Sequence, residues 1–225
     1  MLCQFTVKNF KSIRDEATFD MQAAAISEHE NRIIIDKDEE KYLPVSAIYG
    51  PNGGGKSNVL AALHTLVAKV LRPLFATEDS EEKVLLQKKL IVEPFAFSQS
   101  KDGSTEFELF FRTTVSEYRY ILHVKRDIVL YESLDRVKLE TGRKSALFTR
   151  DENGIILKGA FAKLKVSNEL SKTLTLLSYL GIAYKGNAVV KDVLSWFEYG
   201  IEFLNYGNPI QELRMAVSTS EEVKQ

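Results

Sequence analysis

Residues 43–63 read LPVSAIYGPNGGGKSNVLAAL, and this stretch decides the fold predicted for the rest of the chain. Its middle, Gly50 to Ser57, fits the pattern G-x-x-x-x-G-K-[ST] of a phosphate-binding loop. The apolar run at 43–48 is typical of a buried strand, and the residues after the loop repeat leucine and valine at helical spacing. Because strand, loop and helix follow in the order that the motif requires, nucleotide binding is favoured over a chance match by a flexible glycine turn.

The residue types in the loop suit nucleotide phosphates. Glycine lets backbone amides approach phosphate oxygens, and a helix N-terminus presents unpaired amides to an anion. Lys56 is predicted to reach the β- and γ-phosphates, and Ser57 to offer its hydroxyl to Mg²⁺. The predicted ATP-binding residues are Gly50, Pro51, Asn52, Gly53, Gly54, Gly55, Lys56, Ser57 and Asn58.

Composition and charge are those of an ordinary globular protein. Of the 225 residues, 44% are hydrophobic and 27% charged, and the net charge of −1 gives no basic field of the kind that marks nucleic-acid binding. The single cysteine, Cys3, excludes an internal disulfide and a cysteine-based zinc site. No apolar run of about 20 residues and no signal peptide is recognised. We therefore expect a cytoplasmic protein that does not enter a membrane.

The pattern of the N-terminal 160 residues indicates strands around the loop and its helix. Alternation over residues 1–10, with a second strand at 16–21, predicts a hairpin, and period-two alternation over 95–157 predicts an antiparallel sheet of about five strands. The helix after the loop is predicted to end near Arg72, since Pro73 cannot continue it, and a second helix is predicted at 78–90. Ile33–Asp36 is interpreted as a structural strand rather than a metal site.

Residues 161–225 return to a helical period and are predicted to form a separate helical segment after a first domain at 1–160. One apolar face contains Leu170, Leu174, Leu177 and Leu180, and a second contains Val189, Val193, Trp196, Phe197 and Ile201.

The sequence GPNGGGKSN followed by VLAAL, with FTVKNFKSI near the N-terminus, resembles the ABC-type ATPase heads of chromosome-maintenance and recombination proteins. RecF and the OLD nucleases belong to that group. The chain is more similar to stand-alone bacterial ATPases of the AAA-15/AAA-21 type, many of which occur in phage-defence or toxin–antitoxin operons. The resemblance implies an α/β P-loop NTPase fold of ABC-head type, with an antiparallel β subdomain and the start of a helical lobe. It also implies ATP and Mg²⁺ as ligands.

The resemblance suggests further site residues. The loop after the first strand lies beside the nucleotide in such heads, so Lys11 and Ser12 are secondary candidates for phosphate or ribose contacts, with a solvated turn as the alternative for Lys11. Gln99 is a secondary candidate for the glutamine that senses Mg²⁺ and the γ-phosphate. Gly54 occupies a position where such proteins more often have Ser, Ala or Cys.

Two motifs of complete ABC-type heads are absent from the sequence. There is no Ser-Gly-Gly or Ser-Gly-Gln signature, and no apolar strand ending in Asp-Glu follows residue 57, so no catalytic residue is identified. We expect residues 1–225 to be the N-terminal part of a larger ATPase, or a chain whose missing half another chain supplies. On either reading, the chain alone is predicted to bind nucleotide and to hydrolyse it poorly.

Two functions follow. The leading hypothesis is an ATPase head whose ATP-driven homodimerisation gates a DNA-directed or defence activity, with DNA or an effector protein as partner. The alternative is a degenerate module that uses ATP as a structural or sensing ligand without turnover. A kinase or GTPase-like enzyme is disfavoured, since no guanine-reading Asn-Lys-x-Asp string occurs.

Overall fold

The computed structural model of the chain describes residues 1–24, 30–36, 38–75, 90–97, 103–167 and 169–204. These residues form a mixed α/β structure in which helices pack on a seven-stranded antiparallel sheet of order β2-β1-β5-β6-β7-β8-β9. The strands are β1 (Leu2–Lys8), β2 (Ala17–Asp20), β3 (Ile34–Ile35), β4 (Lys41–Tyr42), β5 (Thr105–Arg112), β6 (Ser116–Lys125), β7 (Ile128–Lys138), β8 (Lys144–Asp151) and β9 (Gly154–Leu157). The helices are α1 (Lys56–Phe75), α2 (Leu176–Ala183) and α3 (Ala188–Tyr199), with 3₁₀ turns at Glu30–Arg32 and Gly159–Phe161.

One face of the sheet is apolar and buried. Cross-strand register places five large side chains in one row over β1, β5, β6, β7 and β8, namely Phe5, Leu109, Tyr120, Leu134 and Phe148. All five are 0% exposed. Because successive residues of a strand point to opposite faces, the alternation in the sequence accounts for this row. The antiparallel sheet predicted over 95–157 is confirmed as β5–β9.

The predicted N-terminal hairpin is confirmed, and it enlarges the sheet. β1 pairs with β2 on one side and with β5 on the other, so two further strands join the five that were predicted. Cys3 lies on the buried face of β1, where burial raises the pKa of its thiol to about 11. The thiol is therefore a core group, as a small apolar residue would be.

Arg112 attaches the small hairpin β3–β4 to the end of β5. Its guanidinium donates to Asp36 Oδ2 at 3.0 Å, to Asp38 Oδ1 at 2.7 Å and to Glu117 Oε2 at 2.7 Å. These hydrogen bonds hold the pKa of Asp38 below its usual value. The carboxylate of Asp36, at the end of the Ile33–Asp36 stretch, therefore forms an ion pair with Arg112. This agrees with the interpretation of the stretch as a structural strand rather than a metal site.

The segment before the glycine loop is not the buried strand that was predicted. Residues 44–49 are exposed, with Val45 78% and Tyr49 90% accessible, and they belong to no strand of the part of the chain that the structure describes. Just before this segment, the N–H of Leu43 donates to Met21 O at 2.7 Å, one residue past the end of β2. An apolar run becomes a buried strand when neighbouring strands pair with it, and none of the described strands does so.

The helices depart from their predicted bounds. α1 continues through Pro73 to Phe75, since a proline in the last turn removes only one helical hydrogen bond. α2 begins at Leu176, so Leu170 and Leu174 precede it, and Ile201 follows the end of α3. Local capping defines the start of α2, since the Thr175 side chain accepts from Ser178 N, while apolar spacing in the sequence continues past this cap. The helix predicted at 78–90 lies outside the described residues except for its last position.

Among the described residues, one helix passes a membrane-span test by length and composition: α1, with 33% of its apolar window buried. One such helix is weak evidence for a membrane span, and α1 includes the charged residues Lys56, Lys69 and Arg72. Core helices of soluble proteins pass the same test, and Ala62, Leu66 and Val70 of α1 lie in the core against the sheet and α2.

A buried carboxylate on β7 holds the start of α2. Glu132 is 0% exposed and accepts hydrogen bonds from Leu176 N (2.6 Å), Leu177 N (2.9 Å) and Tyr120 Oη (2.9 Å). Arg150 lies 3.9 Å away and donates to Leu174 O at 2.7 Å. Burial raises the pKa of Glu132, while these donors act in the opposite direction. The carboxylate satisfies amides that a helix N-terminus leaves unpaired.

We expect Glu132→Gln to lower the free energy of unfolding by about 2–4 kcal/mol, because the new amide group faces donors and leaves buried Arg150 without its counter-charge. Urea unfolding followed by circular dichroism measures the change. Glu152→Gln, at an exposed position in the β8–β9 turn, is the matched control and should unfold as the parent does. Equal stability of the two variants would contradict this role for Glu132.

Candidate functional site

The glycine loop at 50–55 lies on the surface between the exposed segment and α1. Gly53 and Gly55 have φ of +79° and +86°, a left-handed conformation that side chains rarely tolerate. The Gly54 amide closes a turn on Pro51 O at 3.1 Å. The loop therefore folds as a compact turn with accessible backbone.

Lys56 is the first residue of α1, and its side chain folds back over the loop. Its Nζ donates to the carbonyl oxygens of Gly50 and Pro51, both at 2.7 Å. Ser57 follows as an exposed second helical residue, and the first turn of α1 contains no acidic residue. The ammonium group and the helix N-terminus thus place positive charge together at the loop.

The turn after β1 contacts this loop. Asn58 Nδ2 donates to Ser12 Oγ at 2.6 Å, and a Cβ on Gly55 would lie 2.8 Å from the same oxygen. Lys11 is exposed, with its Nζ 5.5 Å from the Phe10 ring centroid. The structure therefore brings Ser12 and Asn58 to the loop and leaves Lys11 at the rim of the same turn.

Asn9 organises that turn, and sequence reasoning missed it. Asn9 and Lys11 have φ of +56° and +48°. The Asn9 side chain donates to Ser104 O and accepts from Phe95 N, both at 3.0 Å, while Lys11 N donates to Glu93 O at 3.0 Å. Asparagine adopts a left-handed conformation more readily than most residues. An asparagine directly after a strand was therefore the one sequence signal for this turn.

The described donors fit a polyphosphate better than a bare metal ion. The loop offers accessible backbone, a lysine ammonium and a helix N-terminus, which together suit phosphate oxygens. No group of three or more His, Cys, Asp or Glu residues that could hold a metal is found in the described ranges. Of the two predicted magnesium ligands, Ser57 lies within the described residues and Gln99 lies outside them.

The acids named downstream of the loop, Asp127 and Asp192, make their described hydrogen bonds away from it. The main-chain carbonyl of Asp127 accepts from Lys69 Nζ at 2.8 Å, and the Asp192 carboxylate accepts from Tyr118 Oη at 2.7 Å. Neither contact reaches the glycine loop. No catalytic base is therefore identified among the residues that the structure describes.

Comparison with known proteins gives one family. The model of the AAA_21 family, described as "AAA domain, putative AbiEii toxin, Type IV TA system", matches residues 45–188. The match covers well over half of the chain and includes the glycine loop, α1 and β5–β9. A search of curated proteins found no match.

Two adjacent glycines provide a test of the loop conformation. Gly55→Ala should weaken Mg-ATP binding by about tenfold or more, since a left-handed alanine costs roughly 1–2 kcal/mol and its Cβ meets Ser12 Oγ. Gly54→Ala, at a position without positive φ, requires only a small shift from Pro51 O, 3.0 Å from its Cβ, and should change the Kd by no more than about threefold. Calorimetric titration of both variants measures the difference, and equal losses would contradict the described conformation.

Proposed function

The chain belongs to the AAA_21 family of AAA domains, and on that premise we propose that it is the ATP-binding portion of an ABC-type ATPase head. Family membership indicates a nucleotide-binding ATPase. The observation that supports the specific site is the position of Lys56, whose ammonium lies over the glycine loop at the N-terminus of α1. A loop of this form receives phosphates through its amides and neutralises their charge through the lysine.

In this proposal, different residues of the loop bind the phosphates and the metal ion. The amides of Gly53, Gly55, Lys56 and Ser57 and the ammonium of Lys56 hold the phosphates, and the Ser57 hydroxyl is directed to Mg²⁺. When bound, Mg²⁺ would neutralise negative charge on the phosphate oxygens. Lys56 exchanges its hydrogen bonds to the Gly50 and Pro51 carbonyls for phosphate oxygens, so binding replaces neutral acceptors by charged ones.

Lys11 and Ser12 are proposed as secondary contacts. Ser12 touches Asn58 and lies against Gly55, so its hydroxyl is within the same surface as the loop. Lys11 belongs to a turn that Glu93, Phe95 and Ser104 hold through Asn9 and the Lys11 amide. Because the backbone of this turn is already ordered, Lys11 can bring positive charge to a bound phosphate without a large loss of backbone entropy on binding.

We further propose that ATP drives two such heads, in a cytoplasmic homodimer, to associate and gate a DNA-directed or defence activity. The alternative function is a module that binds ATP as a structural or sensing ligand without turnover. The hydrogen bond of the Asp192 carboxylate to Tyr118, away from the loop, is compatible with both. Sedimentation of the full-length protein with and without Mg-ATP separates them, because only the first requires nucleotide-dependent dimers.

Lys56→Ala should weaken Mg-ATP binding at least tenfold, because a charge-assisted contact to phosphate is lost. Calorimetric titration of Mg-ATP measures the affinity, and phosphate release measured alongside should be slow in the parent chain. Lys11→Ala should give a smaller loss if Lys11 is a secondary contact.

The matched control is Lys191→Ala, which removes an exposed lysine of α3 and should bind as the parent does. Unchanged binding by Lys56→Ala would overturn the proposed site. Rapid, Lys56-dependent phosphate release by the monomeric chain would overturn the prediction that this chain alone hydrolyses ATP poorly.

A further inference from the structure

A cavity of about 640 Å³ lies between the sheet and the start of α3, at the end of β5 that faces away from the glycine loop. The turn that contacts the loop is bonded to Ser104 and Thr105 at the start of β5, whereas the cavity is formed after its end, at Thr114 to Ser116. Its volume is in the range typical of small-molecule sites. The cavity is therefore separate from the proposed nucleotide site.

Arg136 on β7 contributes the most unusual group in this cavity. Its Nε is buried without a hydrogen-bond partner, and its guanidinium forms no ion pair with any described residue. The residue is partly buried, where an uncompensated charge is costly. Buried polar groups in folded proteins are nearly always paired, so the unpaired Nε and the absence of a described ion pair mark Arg136 as a side chain whose charge an anion would compensate.

Of the two acids that line the cavity, Asp192 is already hydrogen-bonded to neighbouring hydroxyl groups. Cross-strand register places Arg136 opposite Tyr118, whose Oη donates to Asp192 Oδ2 at 2.7 Å. Thr113 Oγ1 donates to the same oxygen at 3.0 Å. Asp192 on α3 therefore takes its hydrogen bonds from two hydroxyl groups, and the second acid on the wall, Glu140, is exposed.

The rest of the wall combines positive and apolar character. Lys138 lies two residues along β7 from Arg136, and the start of α3 at Ala188 supplies the positive end of a helix dipole. The apolar part of the lining consists of Val115, Leu139, Ala188 and Val189. A cation beside an apolar wall is suited to a ligand with one oxyanion and an apolar body.

We propose that this cavity binds a small organic anion, with the carboxylate or phosphate on Arg136 and the apolar body against Val115, Leu139 and Val189. The proposal does not depend on ATP binding. It assigns to Arg136 a ligand-binding role and to Asp192 the role of holding Tyr118 and α3 in place around the cavity.

The single tryptophan of the chain provides the readout. Trp196 lies on α3 one turn after Asp192, and its ring is 4.6 Å from that of Phe111, which stacks on Tyr118 at 5.3 Å. Hexanoate and hexyl phosphate are titrated separately into Lys56→Ala protein, so that the glycine loop cannot account for phosphate binding. 1-Hexanol, which has the same body without a charge, is the neutral comparison.

We expect a saturable change in Trp196 emission with hexanoate, hexyl phosphate or both, and none with 1-hexanol. Arg136→Gln should raise the Kd by about tenfold or more, and Arg136→Lys should restore part of the affinity. Arg143→Gln, which removes an exposed arginine in the β7–β8 turn, is the matched control and should not change the Kd.

Two results would overturn the proposal. One is the absence of saturation by either anion in protein whose circular dichroism shows that it is folded. The other is an unchanged Kd in Arg136→Gln. If that variant does not fold, equal responses to hexanoate and 1-hexanol in protein that retains Arg136 would also overturn it, since binding would then need no charge.

Discussion

The buried carboxylate of Glu132 is the contact on which the arrangement of sheet and helices depends. It accepts the amides of Leu176 and Leu177 and so holds α2 against β7. Ser178 of α2 in turn donates to Val70 O of α1 at 2.7 Å, and Lys69 of α1 donates to the β6–β7 turn at Asp127 O. These polar contacts connect the C-terminal half of α1, the helix that follows the glycine loop, to the sheet and to α2. They lie in a core that excludes competing water.

The other end of α1 depends on segments remote in sequence. The turn after β1 rests on backbone groups of Glu93, Phe95 and Ser104, and it reaches the loop through Ser12 and Asn58. Each contact is a single hydrogen bond of modest net energy. Together they place the loop, the start of α1 and the N-terminal turn on one surface, which is the geometry that a shared phosphate ligand needs.

The two proposed sites use different physical means. The glycine loop is exposed and relies on backbone amides, so its specificity is for phosphate groups that many nucleotides share. The cavity at the far end of β5 is concave and relies on one partly buried guanidinium and an apolar wall. Both lie on elements that the buried core holds in place, since β5, β6 and α1 all contribute buried side chains to it.

The sequence by itself determined the glycine loop and its helix, the N-terminal hairpin and the five strands of the antiparallel sheet, because these follow local spacing and turn chemistry. It did not determine that residues 44–49 are exposed, that α1 passes Pro73, or that Asn9 organises the turn beside the loop. Nor did it show that Glu132 accepts the first amides of α2, or that the Nε of Arg136 is buried without a hydrogen-bond partner in the described part of the chain. Tertiary structure decided these, because burial, strand pairing and the compensation of charge depend on which distant residues meet.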